Sequence, residues 1–231
     1  MSTSGPAPSA AEDLAASTRM LARRGLLTMF GHVSVLDDQP GRYLVCPGAG
    51  SRKDRCSAQD IIHLDFDEDW RPGLPLELYM HSEAHRLNPR IGSLVHVHSP
   101  ALVQLSTLTE VPSDVLVLHA GFWPDPVPVF DEPDLVRDRD DAHRLTATLG
   151  DASLALMRWH GAIVAGPTLR EATIRAILAE EHAAVLLGAL ASGRPVTSYP
   201  GDRRELYERM VPQRLIDMYW AYERSFVEDR A

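Results

Sequence analysis

The run Gly92-Ser93-Leu94-Val95-His96-Val97-His98 narrows what this chain can fold into more than any other segment. Short, apolar and β-branched, and soon closed by Pro100, it reads as a buried strand, and a buried strand needs partners along both edges and cover on both faces. Residues i and i+2 of a strand share a face and lie roughly 6 to 7 Å apart, so His96 and His98 can converge on one ion. The same spacing also suits two histidines on a polar strand face, so the pair alone leaves both readings open.

The rest of the chain supplies the partners. A helix is expected from Ala11 to Leu26, with Gly25 where a C-terminal cap belongs. His32 to Leu36 and Arg42 to Cys46 form a hairpin around Asp37-Asp38-Gln39-Pro40-Gly41, and Ile61 to Phe66 is a third strand. A helix from Leu76 to Leu87 is closed off by Pro89. After the His96 strand come a short helix over Pro100 to Leu108, strands at Val115 to Leu118 and Val127 to Phe130, and a helix from Asp134 to Leu149. Strands at Ser153 to Arg158 and Ala162 to Ala165 meet at Trp159-His160-Gly161. Thr168-Leu169-Arg170-Glu171 then opens a long helix with a capping box, and the last thirty residues are helical. Alternating helices and hairpin-linked strands predict an α/β fold with three αβα layers, the central sheet mixed or mainly antiparallel.

With 231 residues, 45% of them hydrophobic, the chain can bury a full core, and we read residues 11–231 as one domain behind a disordered tail, residues 1–10. A net charge of -9 argues against nucleic acid and anionic membrane surfaces as partners, both of which need clustered positive charge. The N-terminus has neither a basic nor an apolar segment of the signal-peptide kind, and no apolar run approaches spanning length, so a cytoplasmic protein with a small-molecule substrate is expected. Cys46 and Cys56, ten apart and without CxxC spacing, read as free thiols.

A third ligand would close the site, and His160 is the best candidate because Gly161, beside it at a strand-to-strand turn, allows close backbone approach. Glu77, near the start of a helix, offers an oxygen ligand or a proton-transfer group, although a helix N-terminal glutamate is also favoured by the macrodipole alone. His81 sits one helical turn beyond Glu77 and His119 precedes Ala120-Gly121-Phe122-Trp123, which makes both secondary candidates. His63, His85, His143 and His182 carry no functional expectation.

Taken together, Gly31-His32-Val33-Ser34, Glu77-Leu78-Tyr79-Met80-His81, Leu94-Val95-His96-Val97-His98-Ser99-Pro100 and His160-Gly161-Ala162-Ile163-Val164-Ala165-Gly166 resemble the class II aldolase/adducin family over about residues 11 to 190. The resemblance implies a divalent ion, zinc, manganese, iron or cobalt, held by His96, His98 and His160, with Glu77 as ligand or proton carrier. It also implies a homotetramer with active sites at subunit interfaces, to which Arg203, Arg204 or Arg214 could contribute. Where sugar-phosphate aldolases of the family carry a Gly-Asn pair, a Thr-Pro-Ser-Gly-like loop and a Ser-Ser pair, this chain has Gly31-His32, Pro47-Gly48-Ala49-Gly50 and Pro75-Leu76, and the last offers no hydroxyl to a phosphate.

His32 and the Pro-Gly-Ala-Gly loop are similar to the family's aromatic-acid decarboxylases, which act on hydroxylated phthalate or pyridine-dicarboxylate rings. That points to decarboxylation of a substrate such as 3,4-dihydroxyphthalate, with His32, Gly48, Ser51 and Arg52 binding carboxylates and Glu77 and His119 catalytic. Aldol cleavage of a hydroxy-carbonyl or sugar-phosphate compound is the alternative. A non-catalytic adducin-like module would have no use for the four metal-site residues, and oxygen chemistry with iron in the same site is a further reading.

Overall fold

The computed structural model describes residues 9–228. Most of the segment expected as a tail lies outside them, but its last two residues do not: Ser9 caps helix α1 (Ala10–Arg23) through a capping box with Glu12, each satisfying the other's backbone N–H.

Seven strands form one sheet in the order β3-β2-β1-β4-β7-β6-β5. They are β1 (His32–Leu36), β2 (Arg42–Val45), β3 (Ile62–Asp65), β4 (Ser93–Val97), β5 (Val129–Phe130), β6 (Leu154–Met157) and β7 (Gly161–Gly166). All pairs are antiparallel except β5 with β6, so the sheet is mixed and mainly antiparallel, as the hairpin-length links predict. The expected central strand is central: every residue of β4 is buried between β1 and β7.

Strand alternation divides the core between the two faces of the sheet. Val95 and Val97 of β4 join Val33, Val164 and Leu156 beneath α1, α3 (Pro100–Ser106), α5 (Leu169–Ala191) and α7 (Gln213–Glu228). Leu94, Ile163, Ala165 and Met157 face α2 (Tyr79–Leu87) and α4 (Arg139–Leu149). Helices on both faces give the three-layer αβα architecture. Since His96 shares the parity of Leu94, its side chain lies on the α2 side.

Several expected boundaries differ. Val115 to Leu118 is not a strand: Val115 bonds through its backbone to Ser198 and Tyr199 of the C-terminal segment, and Leu118 to Ala120 is a 3₁₀ turn. The sheet edge that this run would need is taken by β5. The fourth helix begins at Arg139, where the Asp138 side chain accepts the Asp141 N–H. The C-terminal helical stretch breaks near Pro212 into α6 (Arg203–Met210) and α7.

Two glycines let the neighbouring strands close on the end of β4. A Cβ at Gly31, whose φ of 83° is left-handed, would lie 2.9 Å from the His96 carbonyl oxygen, and one at Gly161 would collide with the Val97 carbonyl oxygen. Gly161→Ala is therefore expected to cost about 2–4 kcal/mol in chemical denaturation. Gly188→Ala, in open space on α5, should instead stabilise by up to about 1 kcal/mol.

Candidate metal centre

The end of one strand and two turns meet on the α2 side of the sheet. His96 comes from β4, His98 lies just past its end, and His160 lies in the turn between β6 and β7 beside Trp159, which is held at a φ of 57°. Glu77 does not lie in the helix as expected but in the turn that leads into α2, two residues before its first residue.

These four side chains converge. One ligand atom from each of Glu77, His96, His98 and His160 lies within 4.8 Å of all the others. The Nε2 atoms of His96 and His98 are 2.7 Å apart and those of His98 and His160 3.1 Å apart, while Glu77 Oε2 is 3.2 Å from His96 Nε2 and 3.5 Å from His160 Nε2. The donor set fits a divalent ion on its own chemistry. His96 donates its Nδ1–H to the Ala162 carbonyl, which leaves Nε2 as a lone pair aimed at the other ligands, the arrangement that fixes a metal-binding imidazole. Three nitrogens and a carboxylate oxygen are a donor set suited to zinc and to other first-row divalent ions.

The electrostatics agree with ligation. Burial pushes His98 down to about 3, helped by neighbouring His96 and His160, and burial likewise lowers His160, so both favour the neutral, ligating form. Burial opposes ionising Glu77, but His96, His160 and the Val136 N–H, which Oε1 accepts at 3.1 Å, outweigh it and hold the carboxyl at about 2. Glu77 thus rests as a carboxylate and would have to take up a proton before giving one.

A cavity of about 450 Å³ opens over this cluster. His32, Phe30, Leu76, Trp159 and Arg158 are among its walls, and Leu76 and Trp159 are about half exposed at its mouth. His32 is paired with His96 across β1 and β4 and lies beside it, with ring centroids 4.9 Å apart.

Other expected site residues fall elsewhere. Ser51 donates its hydroxyl to the Gly48 carbonyl and Arg52 forks onto Asp54, and both line a separate hollow near Lys53. Gly48 packs its backbone against Leu74 and Pro75, where no Cβ would fit, and the loop touches the main cavity through Ala49. The buried Lys53 ammonium is directed at the Pro47 and Gly48 carbonyls and holds the loop in this shape. His119 lies in the 3₁₀ turn that packs against α6 and does not line the cavity. The loop chemistry of Gly48 to Arg52 had suggested a cradle, but its polar groups are spent locally.

Two residues were given no functional expectation in the sequence. Arg158 lines the cavity, with Nε on Asp131 at 2.7 Å and Nη1 on the Ser106 and Leu108 carbonyls. His85, four residues after His81 and so on the same helical face, joins a buried polar chain with Ser34, His81 and His32. The i, i+4 spacing was the available signal.

Comparison with known proteins shows the family and the fold. The family model described as Class II Aldolase and Adducin N-terminal domain matches residues 12–187. The chain is 29% identical to 3,4-dihydroxyphthalate decarboxylase of Terrabacter sp. (strain DBF63), over 82% of this chain and 84% of that one, and 28% identical to the enzyme of the same name from Arthrobacter keyseri, over 85% and 86%. Among solved structures, L-fuculose 1-phosphate aldolase from Glaciozyma antarctica PI12 shares the fold, with a TM-score of 0.79 at 19% identity over 97% of this chain and 94% of that one.

Two outcomes follow. His160→Ala should weaken divalent-ion binding more than about a hundredfold in a chelator competition, whereas Arg52→Ala should leave it unchanged. The second concerns His85, whose imidazole burial holds down at about 4, so it refuses a proton that the unfolded chain accepts near pH 6.5. Its contribution is complete above pH 6.5 and is lost as pH falls toward 4, at about 1.4 kcal/mol per pH unit. Urea titrations between pH 7.5 and 4.5 should show a slope shallower by about that amount in His85→Leu.

Proposed function

Because the chain belongs to the class II aldolase and adducin family, we propose that it is a metal-dependent carbon–carbon lyase that decarboxylates a hydroxylated aromatic dicarboxylate of the 3,4-dihydroxyphthalate kind. The observation that carries this reading is the wall beside the metal cluster. Immediately before Glu77, where a phosphate would need hydroxyl donors, Pro75 and Leu76 present an apolar surface to the cavity. The two decarboxylases to which the chain is similar support the same choice of reaction.

A divalent ion in this donor set would polarise an oxygen beside the bond to be broken and stabilise the electron pair left by the departing carboxyl group. The chain's own residues do the remainder. Phe30 and Trp159 flank the opening with flat apolar surface suited to a ring. Arg158 is tethered through Nε and Nη1, while Nη2 has no hydrogen-bond partner among the described residues and serves a carboxylate. Glu77, anchored through Oε1 on the Val136 N–H, keeps Oε2 on the cluster side, where it can pass a proton to the ring carbon once it has received one.

The working form in this proposal is a homotetramer. Met218, Tyr222 and Phe226 support it, forming an exposed apolar stripe at i, i+4 and i+8 of α7. Among the described residues no helix is long and apolar enough to cross a membrane.

Incubating metal-loaded protein with 3,4-dihydroxyphthalate and, separately, with L-fuculose 1-phosphate tests the reaction. Carbon dioxide should be released from the first, with no aldehyde from the second, and chelation should abolish turnover until a divalent ion is restored. Aldehyde release without carbon dioxide would replace this reading by the aldolase one. Arg158→Met should lower kcat/KM by about a hundredfold, consistent with loss of a charge-assisted contact of roughly 3 kcal/mol.

A further inference from the structure

A chain of hydrogen bonds runs from the backbone of the loop before β4 to the floor of the cavity, and each link fixes the direction of the next. His85 Nδ1 lies 3.0 Å from the Ile91 carbonyl oxygen, which can only accept, so Nδ1 carries the hydrogen. His85 Nε2 is then an acceptor in the neutral ring and takes the Ser34 hydroxyl hydrogen at 2.9 Å. With its one hydrogen committed, Ser34 Oγ accepts from His81 Nδ1 at 2.6 Å. His81 Nε2, now an acceptor, takes the Nδ1–H of His32 at 2.6 Å. His32 is left with Nε2 as a bare lone pair on a residue that lines the cavity, and Nε2 has no hydrogen-bond partner among the described residues.

The geometry behind this chain is a match of two periods. His32 and Ser34 are i and i+2 on the α2 side of β1, while His81 and His85 are i and i+4 on α2, so a strand face and a helix face interleave four polar groups. All four residues are buried, and burial is the main reason that the three imidazoles stay neutral, as the sequence of donors and acceptors requires.

We propose that the Ile91 carbonyl, acting through His85, Ser34 and His81, locks His32 in the Nδ1–H tautomer, so that the cavity selects a ligand presenting an O–H to His32 Nε2 and disfavours an unprotonated anionic oxygen there. His32 is the contacting residue, and Ser34, His81 and His85 are positioning residues. In the decarboxylase reading, on which the identity of the ligand rests, the donor is a ring hydroxyl; the tautomer itself does not depend on which bond is cleaved.

Two-bond ¹H–¹⁵N correlation spectra of protein labelled at histidine nitrogen and loaded with diamagnetic zinc test the tautomer directly. His32, His81 and His85 should each be protonated at Nδ1. Titration with 3,4-dihydroxybenzoate, which loss of the carboxyl group ortho to a ring hydroxyl would leave from 3,4-dihydroxyphthalate, should move the His32 Nε2 resonance while Nδ1 stays protonated. Sulfate, which has no hydrogen to donate, should leave it in place.

Ser34→Ala should mix the His32 tautomers and weaken 3,4-dihydroxybenzoate about tenfold, the worth of one ordinary hydrogen bond, and Ser34→Thr, which keeps the hydroxyl, should restore both. A His32 protonated at Nε2 in the unmodified protein overturns the proposal without any variant having to fold. So does a Ser34→Ala protein with an unchanged tautomer and affinity. Failure of the functional reading looks different: the tautomers and the hydroxyl-dependent shift would be present while no carbon dioxide is released.

Discussion

The pairing of β4 with β1 on one edge and β7 on the other is the constraint on which the site depends. Antiparallel register sets His32 opposite His96 and Ile163 on the far side of it, and since side chains alternate with a period of two, a one-residue slip would turn His96 from the α2 face into the apolar layer beneath α1 and α5. Gly31 and Gly161 hold that register where it matters, each admitting a neighbouring backbone to a β4 carbonyl that any Cβ would push away. The carbonyl of Ala162, delivered by the same pairing with β7, then orients His96 itself.

The two faces of the sheet carry different loads. Beneath α1, α3, α5 and α7 lies the larger apolar cluster, crossed by paired polar contacts such as Ser17 with Thr173 and Glu180 with Ser99, and its burial stabilises without specifying any chemistry. On the α2 side, His32, Ser34, Glu77, His81, His85 and His96 are all buried, and a buried polar group is tolerated only with partners. The larger apolar layer offsets what the polar cluster costs. It follows that substitutions on α5 should chiefly alter stability, while those on the strand side of α2 should alter the site first.

How much of this was legible in the sequence depended on whether the information was local. Strand alternation marked the His96–His98 pair and a neighbouring glycine marked His160 as candidates from a few residues, but the pair alone left two readings open, and it was the order of the four motifs that joined them into one site. His85 needed the knowledge that α2 lies over β1, which no local pattern supplies, although its spacing from His81 was visible. Ser51 and Arg52 were misplaced for the opposite reason: a polar loop looks like a ligand cradle until its groups are seen to bond to Gly48 and Asp54. His119 and the Val115 to Leu118 run failed together, because the C-terminal segment, rather than the sheet, claims that stretch.

The character of the cavity floor bears on what the metal cluster can be used for. A phosphate is held by donors, whereas this floor offers acceptors, the Glu77 carboxylate and the His32 lone pair, set against the apolar Pro75 and Leu76. Arg158 is the cationic side chain that remains, and it stands toward the Trp159 side of the opening. A ligand satisfying both needs hydrogens to give at the floor, an anionic group toward Arg158 and flat apolar surface between them. In the proposed reading a planar ring with hydroxyls on one edge and a carboxylate on another meets all three demands, whereas the Pro75–Leu76 wall offers a phosphate no hydroxyl. In that reading the four candidate ligands would serve either chemistry, and the discrimination lies in the side chains that surround them.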